Sequence, residues 1–267
     1  MNTNKFLVKP GSKVKLAQWD PGDTHGVTKE AAEPELERER GKLSGLQEIL
    51  YAEGKRALLV VLQGLDASGK DGTIRNVMSG VNPQGCSVTS FKVPSPEEQG
   101  HDFLWRVHKV IPQAGRIGVF NRSHYEEVLV VRVHKLVPKE VWSGRYDHIN
   151  HFEQLLADSQ VTILKFFLHV SKDEQKKRLE ERFTDRTKLW KVNLGDLEER
   201  KRWSAYQEAY EDALAKCSTE SAPWYIIPAD RKWFRNLAVM RIVVQTLEAM
   251  KLKYPKPRFD PAKIVVK

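Results

Sequence analysis

ALLVVLQGLDASGKDG, residues 57–72, decides the fold. Its opening run, Ala57 to Leu62, is continuously apolar and of strand length, the pattern of a strand buried on both faces of a parallel sheet. Directly after it, Gly64 to Lys70 fits G-x-x-x-x-G-K. In such a loop the glycines permit a tight turn, backbone N–H groups approach phosphate oxygens, and the following helix N-terminus adds partial positive charge. Gly64, Ala67, Ser68, Gly69, Lys70 and Asp71 are therefore the expected phosphate cradle, with Lys70 neutralising the bound charge.

Outward from this stretch, strand candidates recur at Ser87 to Phe91, Arg116 to Asn121, Val161 to Val170 and Trp224 to Pro228. Helical patterns separate them: Lys29 to Glu53, Thr73 to Met78, Pro96 to Val110, Ser123 to His134, Tyr146 to Asp158, Ser171 to Phe183, Asp196 to Ala215 and Lys232 to Lys251. Val128 to Val133 would suit a strand equally well, because its residues are β-branched. Strands alternating with helices imply right-handed crossovers and a parallel sheet wrapped in helices. The expectation is an α/β fold: an extended arm over residues 1–27, one domain over 28–267, and a helical insertion at about 183–200.

One position departs from the loop pattern. The Ser or Thr that ordinarily follows the lysine and ligates Mg²⁺ is Asp71 here. Asp66, inside the loop, is the candidate for holding the metal, since a carboxylate in a phosphate cradle repels its ligand unless a cation lies between them. The alternative is a turn residue capping its own backbone. Asn121 and Arg122 close the third strand, and ligands of open α/β sheets gather at the carboxyl ends of strands. Arg122 would hold transferring phosphate as a bidentate fork; read alone, the following SHYEE is a helix cap with acidic first-turn residues. Arg178, Arg182 and Arg186 recur every four residues, on one face of a helix, with Lys188 and Lys191 beyond. They either pair locally with Glu174, Glu181 and Asp185 or close over phosphates as a lid.

His148 and His151 lack a third ligand and read as surface helix residues. His101, His108, His124 and His134 also lack partners. Trp190, Trp203, Tyr206 and Tyr210 are expected to pack the helix after the insertion. Cys86 and Cys217 fit neither zinc spacing nor a disulfide framework and read as small buried side chains of a reduced cytoplasm. The opening MNTNKFLVKPGSK has no apolar core of a secretory signal, and no apolar run is long enough to span a bilayer.

The 44 Lys and Arg against 35 Asp and Glu leave a formal charge of +9 over a chain of 267 residues. That excess implies a polyanionic partner or simply a solubilising surface. Nucleic acid is one such polyanion, but no nucleic-acid motif accompanies the charge. An ATP-dependent nucleotide kinase of similar fold is the second reading, distinguished by its phosphate donor.

GLDASGKDG, FNRSHYEEV, LEERFTDRTKLWKVNLGDLEERKRW and STESAPWYIIPADRKW together resemble the polyphosphate kinase 2 family, in order, from about residue 12 to 252. The resemblance implies a P-loop fold like that of thymidylate kinase with a helical lid. It also implies reversible Mg²⁺-dependent phosphoryl transfer between inorganic polyphosphate and the adenine nucleotides AMP and ADP, and a homo-oligomer, often a tetramer. It carries catalytic roles to Asp66, Lys70, Arg122 and Arg182. Asn121 stands where many members have Asp, and with Glu126 it makes FNRSHYEE resemble the subgroup that phosphorylates both AMP and ADP. Whether Asp66 holds the metal alone or with Glu126 stays open at this point.

Overall fold

The computed structural model describes residues 1–260 and 264. After α1 (Lys29–Glu53), the chain runs β1 (Ala57–Gln63), α2 (Lys70–Val77), β2 (Cys86–Ser90), α3 (Pro96–Gln99), α4 (Trp105–His108) and β3 (Ile117–Asn121). It continues through α5 (Val130–Val133), α6 (Lys139–Asp158), β4 (Val161–His169), α7 (Lys172–Thr184), α8 (Gly195–Lys201), α9 (Trp203–Cys217), β5 (Trp224–Pro228) and α10 (Lys232–Ala249). The five strands form one sheet in the order β2-β3-β1-β4-β5, all neighbours parallel.

The β1 run is central, and all seven of its residues are buried. Alternation along the strands sends side chains to opposite faces. Leu58, Val60 and Leu62 join Leu43, Leu50 and the apolar side of α10, while Ala57, Leu59 and Val61 join Phe120, Phe152 and Ile163. Both layers are therefore apolar, which is why β1 reads as a run and not an alternation. The register pairs Leu62 with Asn121. The loops that leave β1 and β3 thus start side by side at the carboxyl end of the sheet, where the chain crosses to opposite sides of β1.

Several expected elements differ. Pro96 to Val110 is two single-turn helices, because the first is closed at Gly100 and Asp102 caps a new turn through the Leu104 N–H. Ser123 to His134 is a 3₁₀ turn, His124–Glu127, followed by α5, so Val130, Val131 and Val133 of the ambiguous segment are helical and Val128 lies in the turn before them. Helix α6 begins seven residues before Tyr146, carrying Gly144 in its interior. The expected helix from Asp196 is broken at Arg202 into α8 and α9.

Residues 1–28 hold two 3₁₀ turns and pack onto the body through buried Phe6, Val8, Val14 and Leu16. Leu7 makes an antiparallel bridge to Tyr225, and the Val8 N–H donates to Trp224 O at 2.9 Å, which closes the β5 edge of the sheet. Tyr206 and Tyr210 are buried as expected, and Trp203 packs against the core, but Trp190 is 78% exposed. His148 and His151 lie exposed on α6. His124 and His134 do have partners, Glu153 and Glu199, which sequence spacing does not reveal. Cys217 is buried and Cys86 only partly so. Among the described residues no helix is long and apolar enough to cross a membrane.

Candidate active site

The loop after β1 is built around residues with left-handed backbone. Gly64 has φ 154°, and a Cβ there would meet Ser68 Oγ at 2.7 Å and Leu168 O at 2.9 Å. Gly69, at φ 103°, forms the N-cap of α2, and a Cβ there would collide with the guanidinium of Arg235. Ala67 adopts φ 59° without being glycine, a local cost that a packed surrounding must hold in place. Lys70 opens α2 and folds back, donating to Gly64 O at 2.6 Å and Leu65 O at 3.2 Å. It is buried, and burial together with the neighbouring Arg122 pulls its pKa down to about 8, against the opposing pull of Asp66, Glu126 and Asp71.

Arg122 is the second strained residue, at φ 64°. Its N–H continues the sheet ladder to Leu62 O at 3.0 Å. Its guanidinium donates to Asp66 Oδ1 at 2.5 Å through Nη2 and to Glu126 Oε2 at 3.2 Å through Nη1. Burial would lower its pKa, but Glu126 and Asp66 outweigh that and hold it above the ordinary value. The structure thus brings Asp66, Arg122 and Glu126 to one point, beside Lys70. Asn121 Nδ2 donates to Asp71 Oδ1 at 2.7 Å, so these two side chains hold each other.

The three spaced arginines go to different places. Arg178 is buried and all five of its donor hydrogens face protein acceptors: Glu174, the carbonyls of Ala67 and Ser68 in the loop, and those of Ala229 and Asp230. It braces the phosphate loop through these carbonyls and also lines the basic cleft beside it. Arg182 faces the cleft and pairs with Asp196 at 2.6 Å. Arg186 lies beyond the end of α7, exposed and off the cleft wall, because the helix stops at Thr184.

The comparisons with known proteins follow this geometry. A family model described as polyphosphate kinase 2 matches residues 26–255. The chain is 53% identical to an "AMP/ADP-polyphosphate phosphotransferase" of Meiothermus ruber, over 98% of this chain and 99% of that one. It is 46% identical to an "ADP-polyphosphate phosphotransferase" of Rhodopseudomonas palustris, over 96% and 93%. This chain belongs to the polyphosphate kinase 2 family. Its fold superposes on the crystal structure of polyphosphate kinase 2 from Arthrobacter aurescens TC1 with a TM-score of 0.92 at 44% identity, covering 96% of this chain and 92% of that one.

Two clefts flank the Asp66–Arg122 pair in this polyphosphate kinase 2 chain. One, about 370 Å³, is strongly basic: Lys70, Arg75, Arg182, Lys191, Lys232 and Arg235 all line it. The other, also about 370 Å³, lies beyond Arg122 and is lined by Val130, His134, Leu136, Glu199 and Tyr206. Motif reading missed Arg75, Lys232 and Arg235 on the basic side and the whole second wall. Arg235 had a readable signal, a charge inside the mostly apolar stretch WFRNLAVM. It is buried without a carboxylate partner among the described residues, donates to Ser68 O at 3.2 Å, and is pulled to a pKa of about 9 by burial and by Arg178. An uncompensated buried cation beneath a phosphate loop raises the local potential for an anion.

The family implies a divalent metal. Among the described residues no group of three or more His, Cys, Asp or Glu converges on one point. Asp66 and Glu126, however, both accept from the Arg122 guanidinium, so two carboxylates stand at one place beside the phosphate loop. That donor set suits Mg²⁺, which is bound through one or two carboxylates with substrate phosphates and water completing the shell, and does not suit an all-protein Zn²⁺ or Ca²⁺ cage.

Proposed function

We propose that the chain transfers a terminal phosphoryl group from inorganic polyphosphate to AMP and ADP, forming ADP and ATP, and that it runs the reverse direction as well. The observation that carries the reading is the meeting of two unlike clefts at Asp66 and Arg122. The basic cleft suits a long polyanion, whose phosphates lie against the N–H groups of Gly69 and Lys70 and under Arg182. The second cleft, with apolar Val130 and Leu136 beside hydrogen-bonding Glu199 and Tyr206, suits a nucleoside. The family membership and the names of the relatives from Meiothermus ruber and Rhodopseudomonas palustris support the same donor and acceptors.

The acceptor's phosphate oxygen is already ionised at neutral pH, so the chemistry needs positioning and charge neutralisation more than a base. Lys70 neutralises the donor phosphate, and Arg122 bridges the donor and acceptor sides. Arg182 exchanges Asp196 for phosphate as residues 183–200 close as a lid, excluding water. Asp66, with Glu126, holds the Mg²⁺, which when bound screens the repulsion between the two sets of phosphates. The same reading carries a homo-oligomer, a tetramer in its full form, and a cytoplasmic location.

The test is an incubation of the purified chain with ADP or AMP, long-chain polyphosphate and Mg²⁺, with the products separated by charge. Formation of ATP and ADP from polyphosphate is expected. Brisk transfer from ATP with polyphosphate inert would refute the reading in favour of an ATP-dependent nucleotide kinase.

A further inference from the structure

A lysine interrupts the most buried strand of the sheet after β1. Lys165, in VTILKFFLH of β4, has none of its surface exposed. Each of its three ammonium hydrogens has an acceptor: Tyr125 Oη at 2.8 Å, Cys217 O at 2.6 Å, and the Glu153 carboxylate. Glu153, on α6 and 1% exposed, also accepts from the Tyr125 hydroxyl at 2.9 Å and pairs with His124 Nε2 at 3.1 Å. Burial pushes the Glu153 carboxyl up, but Lys165 and His124 outweigh burial and keep it below the ordinary range.

Such a pair is not a source of net stability. Desolvating both charges costs as much as their attraction returns, and apolar residues of similar volume commonly do as well. What the pair does is join four segments at one point: β4, α6, the carboxyl end of α9, and the 3₁₀ turn His124–Glu127. That turn begins two residues after Arg122 and carries Glu126. Its far end is held by Arg145, which reaches Glu127 Oε2 at 2.5 Å. Its near end is held at Ser123, whose hydroxyl accepts from Gln63 Nε2 at 3.1 Å. Arg122, at φ 64°, keeps a costly conformation only where its surroundings over-determine it.

We propose that the buried Glu153–Lys165 pair is a positioning device for the reaction centre. Acting through Tyr125 and His124, it fixes the turn that aims Arg122 and Glu126 at the phosphates. Neither residue touches a reactant. Both are positioning residues, and the inference rests on the phosphoryl-transfer reading of the site.

Two variants test it. Tyr125→Phe removes one hydroxyl and keeps the ring against Trp224; the double variant Glu153→Met with Lys165→Met removes both charges at similar volume. Turnover is measured per folded molecule, well below the melting temperature, with the phosphate donor that the wild type accepts. Leu43→Ala, a buried α1 residue remote from the site, serves as the destabilised control. The expected result is a fall in kcat of about ten-fold or more in each variant. The KM for polyphosphate should change by less than about two-fold, because Lys70 and the basic cleft are untouched. Leu43→Ala should keep its kcat. Wild-type kcat per folded molecule in Tyr125→Phe would overturn the inference, whether or not the double variant folds, and would leave the cluster as packing alone. A wild type that uses ATP and not polyphosphate would overturn the functional reading and leave the ratios between variant and wild type to decide this one.

Discussion

Lys70 offers the sharpest check on the site, because the fold works against its charge. Burial and Arg122 bring its pKa from the ordinary 10.5 down to about 8, a gap that corresponds to about 3 kcal/mol. In the free enzyme half of the molecules have therefore lost this cation at about pH 8, inside the assay range. Since kcat/KM reports groups of the free enzyme, its value for polyphosphate should fall about ten-fold per pH unit above that point. The limb in kcat should lie higher, because bound phosphates beside the ammonium raise its pKa again. Lys70→Met should lower kcat/KM by about two orders of magnitude and abolish the limb. The assay is initial rate against polyphosphate concentration at fixed ionic strength, from about pH 6.5 to 9.5. A flat wild-type profile, or the same limb in Lys70→Met, would refute the reasoning. The linkage has a definite sign: the folded chain releases this proton before the unfolded chain does, so Lys70 makes stability rise as pH climbs from about 8 to 10.5.

Asp66→Asn should lower turnover by about two orders of magnitude, and near-normal rates would make Asp66 a turn residue; Arg182→Ala should slow turnover with an unchanged melting temperature. Glu126→Gln should depress AMP phosphorylation much more than ADP phosphorylation, read as the ratio of catalytic efficiencies in folded enzyme; an unchanged ratio, with a loss of about 1 kcal/mol in stability, would return Glu126 to the role of a helix cap. The KM for long polyphosphate should climb more steeply with salt than that for nucleotide, because several cations line the basic cleft, and equal shallow slopes would mean that one or two charges hold the chain.

The sheet was legible because β1 is buried on both faces, and a run of six apolar residues followed by a glycine-lysine loop has few other uses. The convergence of Asp66, Arg122 and Glu126 was half legible: motif positions place them at one sheet end, but only the left-handed backbone at Arg122 turns its guanidinium between the two carboxylates. Arg178 and Arg186 stand apart from Arg182 for a definite reason. Helical spacing says which residues share a face, and it says neither where the helix stops nor what the face meets. The same limit hid Glu153: His148 and His151 lie exposed on this helix, whereas Glu153 turns inward to a lysine on β4. Lys165 and Arg235, charges set within apolar runs, were the visible hints of buried chemistry.

The docking of the arm has a consequence for how the chain is made. Val8 receives the Ser218 hydroxyl, and the Leu16 N–H donates to Glu211, across 210 and 195 positions of sequence. At ribosomal speeds of about 5–20 residues per second, that separation is about 10–40 s of waiting. The central strand β1 waits too, since its two neighbours are β3 and β4 and neither exists when β1 emerges. Folding therefore cannot close from the front, and contacts this distant in sequence are the slow ones to form. Throughout that interval Phe6, Val8 and Leu16 have no core to enter. They form an apolar handle on the nascent chain, and residues made long before β5 are among the last to be shielded from the ribosome and from each other.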